Sequence, residues 1–250
     1  MKTRTETHAR RPYLLLDAGG TLVCPNVGIL TRAARRHACE IDGETLRQSF
    51  FRMIHRADRS LRETGRYERI DEFLLDVLVT AGVPEGVAGQ VLEHAQALSG
   101  TQSLWTCALP GTSEAVEVLH TSGYRMAVVS NSDGTVARQM EDLSLSHYFD
   151  AVFDSHLLGV AKPDPRIFRI ALTELGLEPD DCLFVGDLFM IDVLGANAAG
   201  IPAVHLDPLE SCADWPGVRA KDLRTLAGIL VAGQIDLGDP GLMCFPAEDS

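Results

Sequence analysis

The stretch Leu14-Leu15-Leu16-Asp17-Ala18-Gly19-Gly20-Thr21-Leu22-Val23 decides the fold. Three leucines run into an aspartate, and a pair of glycines follows one residue later. A short apolar run closed by glycines is the pattern of a strand buried on both faces, as in parallel sheets. The spacing predicts a strand over Tyr13–Asp17 with Asp17 at its carboxyl end. Open α/β sheets bind their ligands at that end, so Asp17 is a candidate functional residue at once. The plainer alternative is an Asp that only forms the turn before Gly-Gly.

Outward from this stretch the rhythm changes twice. From about residue 28 to 105 the pattern is helical and strand-poor, with apolar residues three and four apart in Glu44–His55 and Ile70–Ala81. Gly82-Val83-Pro84 breaks it, and Glu85–Leu98 reads as a further helix. After Leu109-Pro110-Gly111, strands and helices alternate. Helices are expected over Ser113–Thr121, Val136–Leu143, Pro165–Leu175 and Ile191–Ala199, and strands over Tyr124–Val129, Ala151–Asp154, Cys182–Val185 and Ala203–Leu206. Asp164 and Pro165 suit the N-cap and first position of a helix, and Asp133 reads as another N-cap. Alternation of this kind implies a parallel sheet with helices on both faces. The chain therefore reads as α/β: a Rossmann-like parallel sheet core (residues 12–23 and 106–230) with an inserted α-helical cap (residues 24–105). Residues 1–11 read as a flexible leader and residues 231–250 as a loosely held tail.

Composition narrows the function classes. The 250 residues are 46% hydrophobic and 23% charged, ordinary globular values. No apolar stretch reaches the roughly 18–20 residues of a membrane span, so no membrane partner is expected. The net charge of −13 argues against nucleic acid, whose phosphates need basic stripes. Residues 32–69 run the other way, with ten arginines and six acidic residues. They offer either a grip for an anionic substrate or a solvated helix face. Cysteines 24, 39, 107, 182, 212 and 244 form no CxxC pair and no zinc-type spacing, which points to reduced thiols and a cytoplasmic protein. Only three lysines stand among nineteen arginines, and one of them is Lys162 in Ala161-Lys162-Pro163-Asp164-Pro165. A compact ammonium is not interchangeable with a guanidinium.

Several polar features fall at or just beyond expected strand ends: Asp17, Ser130 with Asn131, Asp187 with Asp192, and Lys162 in a loop before a helix. A doubly wound sheet gathers such loops around one crevice. Carboxylates crowded there repel unless a cation lies between them, and Mg²⁺ suits carboxylates with a backbone carbonyl and water. Ser130 and the N–H groups after it suit phosphate oxygens. Each also has a bland reading: a cap for Ser130, a turn for Asp187, a helix first-turn carboxylate for Asp192. His156 is expected to be a surface histidine.

The motifs Asp17-Ala-Gly-Gly-Thr-Leu22, Val128-Val-Ser-Asn-Ser-Asp-Gly134, Lys162-Pro-Asp-Pro-Arg-Ile-Phe168 and Val185-Gly-Asp-Leu-Phe-Met-Ile-Asp192 resemble, in order, the motifs of the haloacid dehalogenase-like hydrolase superfamily with a helical cap. The resemblance spans roughly residues 13 to 207. It implies a Mg²⁺-dependent hydrolase acting on a small anionic, phosphorylated molecule. Asp17 would be the nucleophile that forms an aspartyl-phosphate. Lys162 would pair with nucleophile and phosphate, and Ser130 and Asn131 would hold the phosphate. Asp17, the Gly19 carbonyl, Asp187 and Asp192 would form the metal site, with Asp192 acting directly or through water. The oligomeric state stays open.

One position departs from that pattern. Phosphatases of the family usually carry Asp-x-Asp in the first motif, and the second Asp serves as general acid and base. Here that position is Gly19, and such help is typically worth about 10²–10⁴ in rate. Several readings follow. The chain is a phosphatase whose leaving group needs little protonation, or whose acid comes from the cap, where His37 and His55 are candidates. It is a 2-haloacid dehalogenase, whose leaving halide needs no acid, although those relatives lack the Asp after the last glycine. Or it is a degenerate member that binds a phosphorylated ligand or a protein. Phosphonoacetaldehyde hydrolases also lack the second Asp but need a cap lysine, and residues 24–105 contain none.

Overall fold

The computed structural model describes residues 11–65, 70–100, 103–235 and 239–243. The leader expected over residues 1–11 thus lies almost wholly outside the described residues, as do Arg66 and Arg69 of the arginine-rich segment. Strand β1 is Tyr13–Leu16, fully buried, as the unbroken apolar run required. A short β2 (Val23–Cys24) leads into helices α1 (Val27–Arg36), α2 (Gly43–Thr64), α3 (Ile70–Thr80) and α4 (Glu85–Ser99). The chain returns through β3 (Cys107–Ala108), which pairs antiparallel with β2 and places Cys24 opposite Cys107. Both are thiols. The four-helix segment thus leaves and rejoins the core through one two-stranded ribbon. Its apolar faces, including Leu30, Ala33, Leu46, Phe50, Val77, Leu78 and Val91, form a cluster of their own.

The remainder alternates. After α5 (Thr112–Thr121) come β4 (Met126–Ser130), α6 (Val136–Asp142), β5 (Val152–Asp154), a short α7 (Ser155–Leu158) and α8 (Pro165–Leu175). Then follow β6 (Cys182–Gly186), a π turn over Phe189–Val193, α9 (Leu194–Ala198), β7 (Ala203–Leu206), β8 (Val218–Ala220) and α10 (Leu223–Val231). One six-stranded sheet runs β5-β4-β1-β6-β7-β8, and all its pairings are parallel. Strand β1 lies between β4 and β6, so the three strands carrying Asp17, Ser130 and Asp187 are neighbours. Leu14, Leu16, Val128 and Val185 face one apolar layer, and Leu15, Ala127, Val129 and Phe184 the other. A strand buried on both faces cannot alternate in polarity, which is why the central strands read as plain apolar runs.

The structure corrects three expectations. The helix expected from Ile191 begins as a π turn at Phe189 and becomes α-helical only at Leu194. Asp133 does not cap α6. Its Oδ1 accepts the Thr135 hydroxyl, while Asp154 of β5 accepts the N–H groups of Gly134, Val136 and His156. The tail expected to be loose over 231–250 is anchored where it is described: Leu242 is fully buried in the core and its carbonyl accepts from Asn197. A single leucine among Gly, Pro and Asp carries no periodicity, so nothing in that segment could announce the contact.

Candidate active site

The turn after β1 is held by its own backbone. The Ala18 carbonyl accepts the N–H groups of Thr21, Leu22 and Val23, and Gly20 N–H donates to the Val23 carbonyl. The bonds that tie this turn leave the Gly19 carbonyl unused. Gly20 has φ +84°, and a Cβ there would lie on Asp187 Oδ2. Two needs coincide at this residue, a left-handed backbone and room for a carboxylate. Gly186 gives Asp192 the same room, without a left-handed backbone, since a Cβ would meet its Cγ at 2.5 Å.

Asp17, Lys162, Asp187 and Asp192 converge, all buried. Lys162 Nζ donates to Asp17 Oδ1 at 2.5 Å and stands 2.6 Å from Asp192 Oδ1. The second Asp192 oxygen accepts Leu188 N–H at 2.9 Å. That bond belongs to the π turn, and wide turns of this type recur at functional sites. Asp187 accepts Thr21 Oγ1 at 3.2 Å through Oδ1, whereas its buried Oδ2 has no hydrogen-bond partner. His205 Nε2 lies 3.0 Å from the Asp187 carbonyl and holds that residue's backbone.

Charge is unbalanced here. Burial raises the Asp17 carboxyl to about 6, against the pull of Lys162. Burial, then Asp17 and Asp192, push Asp187 well above the usual carboxylate range. Burial also opposes the Lys162 ammonium, but its two carboxylate neighbours outweigh it and hold the lysine firmly protonated. Asp17, Asp187 and Asp192 offer oxygens that lie within 4.8 Å of one another. A hard cation bound by oxygen ligands fits this donor set and the orphaned Asp187 oxygen.

The second strand end behaves differently from expectation in one respect. Ser130 is buried at the end of β4, beside Asp154 of β5. Asn131 turns its side chain to Lys162: Oδ1 accepts the Lys162 N–H at 2.8 Å and Nδ2 donates to the Lys162 carbonyl at 2.9 Å. The Asn131 amide therefore fixes the peptide that carries the ammonium. Asp154, which sequence reasoning passed over, organises the loop after Ser130 through the N–H bonds described above. A carboxylate ending a strand and followed by Ser155 was its only signal.

The cap closes on this crevice through a residue the sequence did not single out. Asp58 of α2, 2% exposed, accepts the N–H groups of Phe189 and Met190 at 2.7 and 2.9 Å. Burial raises its carboxyl to about 7 although those bonds pull it down. One turn away, His55 Nδ1 lies 3.0 Å from Cys212 Sγ, and its Nε2 accepts from Arg59. Arg59 also pairs with Asp214 at 2.7 Å, and Arg62 lies over the Trp215 ring. Residues 55, 58, 59 and 62 form one face of a helix, so part of the arginine-rich segment docks cap to core. Arg47 pairs instead with Glu44. His37 faces His94 within the cap, and His156 is exposed.

A parallel sheet with carboxylates and a lysine at its carboxyl edge, roofed by an inserted helical segment, defines a class of hydrolase. A family model for haloacid dehalogenase-like hydrolases matches residues 13–200, and the chain belongs to that family. The glyceraldehyde 3-phosphate phosphatase of Methanothermobacter thermautotrophicus is 39% identical over 38% of this chain, which spans 42% of that protein. Human haloacid dehalogenase-like hydrolase domain-containing protein 3 is 30% identical over 67% of this chain and 69% of its own length. A solved dehalogenase shares the fold with a TM-score of 0.60 at 21% identity, covering 89% of this chain and 98% of the other.

Proposed function

We propose that this protein is a Mg²⁺-dependent phosphatase of a small phosphorylated molecule, working through an aspartyl-phosphate on Asp17. One observation carries the reading. The buried site sets a single ammonium, Lys162, against the three carboxylates of Asp17, Asp187 and Asp192. The deficit of positive charge matches a divalent cation, and the phosphatase named above, with its relation to this chain, supports the phosphoryl group as the substrate.

Asp17 attacks phosphorus with the oxygen that Lys162 does not hold. Lys162 neutralises phosphate oxygens and stays protonated throughout. Ser130 binds a remaining oxygen. Asn131 acts by holding Lys162 in place. Asp187 with its free oxygen, Asp17 and the Gly19 carbonyl would hold the metal, and Asp192 supports it at one remove because Lys162 and Leu188 take its oxygens. The metal supplies charge stabilisation on the transferring group. Free thiols at Cys24 and Cys107 suit a cytoplasmic setting.

The dehalogenase alternative has no use for the unpartnered Asp187 oxygen. The test is acid quench during turnover of acetyl phosphate with Mg²⁺. An acid-stable, hydroxylamine-labile phosphoryl adduct on the peptide carrying Asp17 is expected. Turnover without that adduct would remove Asp17 as nucleophile.

A further inference from the structure

The space beside Gly19 is closed by an aromatic ring. A Cβ on Gly19 would lie 3.2 Å from Trp105 Cζ3, 3.7 Å from Cη2 and 3.8 Å from Cε3. This is the benzo edge of the indole, which carries no proton donor. The ring is firmly placed. It stands edge-to-face with Phe50 of α2 at 5.5 Å between centroids, the Trp105 backbone N–H donates to Ser103 Oγ, and the side chain packs against both the core and the cap clusters. A longer side chain at residue 19 would have to move it.

Among the described residues, the cap acids and histidines nearest the crevice are engaged elsewhere. Both Asp58 oxygens accept backbone N–H groups of the core. His55 is held between Cys212 and Arg59, His37 faces His94, and Glu44 pairs with Arg47. Lys162 is bound by two carboxylates.

Building on the phosphatase reading, we infer that the substrates carry their phosphate on a group that departs without a proton, namely a carboxylate or a phenolate, and that Trp105 enforces this selection. Asp17 Oδ forms the new bond to phosphorus. The bond from phosphorus to the leaving oxygen breaks, and that oxygen keeps the electron pair and leaves as an anion. Water then attacks phosphorus and the bond to Asp17 Oδ breaks. Both protons of the water end on the released phosphate, as H₂PO₄⁻, before it equilibrates with solvent. In the second step the leaving group is the Asp17 carboxylate, so both half-reactions expel an anion of low basicity. Neither requires an acid at residue 19.

The test is a leaving-group series with the full chain and Mg²⁺: acetyl phosphate, p-nitrophenyl phosphate, phenyl phosphate and simple alkyl phosphates. Turnover of acetyl and p-nitrophenyl phosphate should exceed that of alkyl phosphates by at least the 10²–10⁴ that a general acid typically supplies, with kcat/KM falling steadily as leaving-group pKa rises. Alkyl phosphates turned over within tenfold of the others would overturn the inference while leaving the phosphatase reading intact. Turnover of none of them would defeat both. A second comparison isolates the indole. Gly19→Asp combined with Trp105→Ala should gain alkyl phosphatase activity at least tenfold over Gly19→Asp alone, each variant first checked for native circular dichroism. An equal gain in both would show that Trp105 does not close the position.

Discussion

Lys162 and Asp17 lie 145 residues apart in the chain, and their side chains meet at 2.5 Å in the buried centre of the sheet's carboxyl edge. The contact joins β1 to the loop before α8 and sets the charge balance of the whole site. Removing the lysine leaves carboxylates with no cation. Lys162→Met should cost about 3–5 kcal/mol in urea denaturation without metal, the usual effect of breaking a buried pair from one side. A variant as stable as the wild type would mean that the carboxylates are already neutral.

Stability should also depend on pH in a definite direction. The Asp17 carboxyl rises from 3.8 to about 6 on folding, chiefly by burial. The folded protein then binds more protons than the unfolded chain between those values, so stability falls as pH rises through this window. Asp187 is raised for the same reason and adds to the slope. Thermal melts from pH 4 to 7 without metal should show the decline, and millimolar Mg²⁺ should flatten it, because a bound cation favours the ionised carboxylates. A slope of the same size with and without Mg²⁺ would count against the metal site.

Gly20 tests that site without replacing a ligand. Alanine there would press on Asp187 Oδ2 at a backbone angle that disfavours any side chain. Gly20→Ala should weaken Mg²⁺ binding by calorimetry about 10–100-fold, the range for disturbed support around ligands. Unchanged affinity would mean that Asp187 does not face the ion.

The clasp between cap and core rests on Asp58. Asp58→Ala leaves the buried N–H of Phe189 without an acceptor, at about 1–3 kcal/mol, and frees the half-buried N–H of Met190. Hydrogen exchange at those two amides should quicken markedly in Asp58→Ala and less in Asp58→Asn, which keeps a carbonyl acceptor. Exchange as slow as in the wild type would assign cap closure to other contacts.

Much of this arrangement could be read from residue order. Asp17, Ser130, Lys162 and Asp187 each sit where an apolar run meets Gly, Pro or Ser, and topology alone brings strand ends together. Pro165 opens α8 and Gly176 closes it, so that helix could be read to the residue. Contacts between distant surfaces could not. Asp58 looks like any acid in a charged helix until its partners, backbone N–H groups with no side-chain signature, are in place. Trp105 gave no periodic signal and acquires meaning only from the space beside Gly19. Strand β8 was missed because Trp215–Lys221 mixes Gly, Arg and Ala without a clear period, whereas helix α10 was legible, since Leu223, Leu226, Ala227 and Leu230 recur at helical spacing, and was overlooked.

The central claim is that Asp17 and Mg²⁺ together hydrolyse a phosphate. The direct measurement is p-nitrophenyl phosphate hydrolysis by wild type and Asp17→Asn, each with Mg²⁺ and with chelator. Turnover only in the wild type with Mg²⁺ is the expected result. Equal turnover by Asp17→Asn, or turnover that persists in chelator, would contradict it.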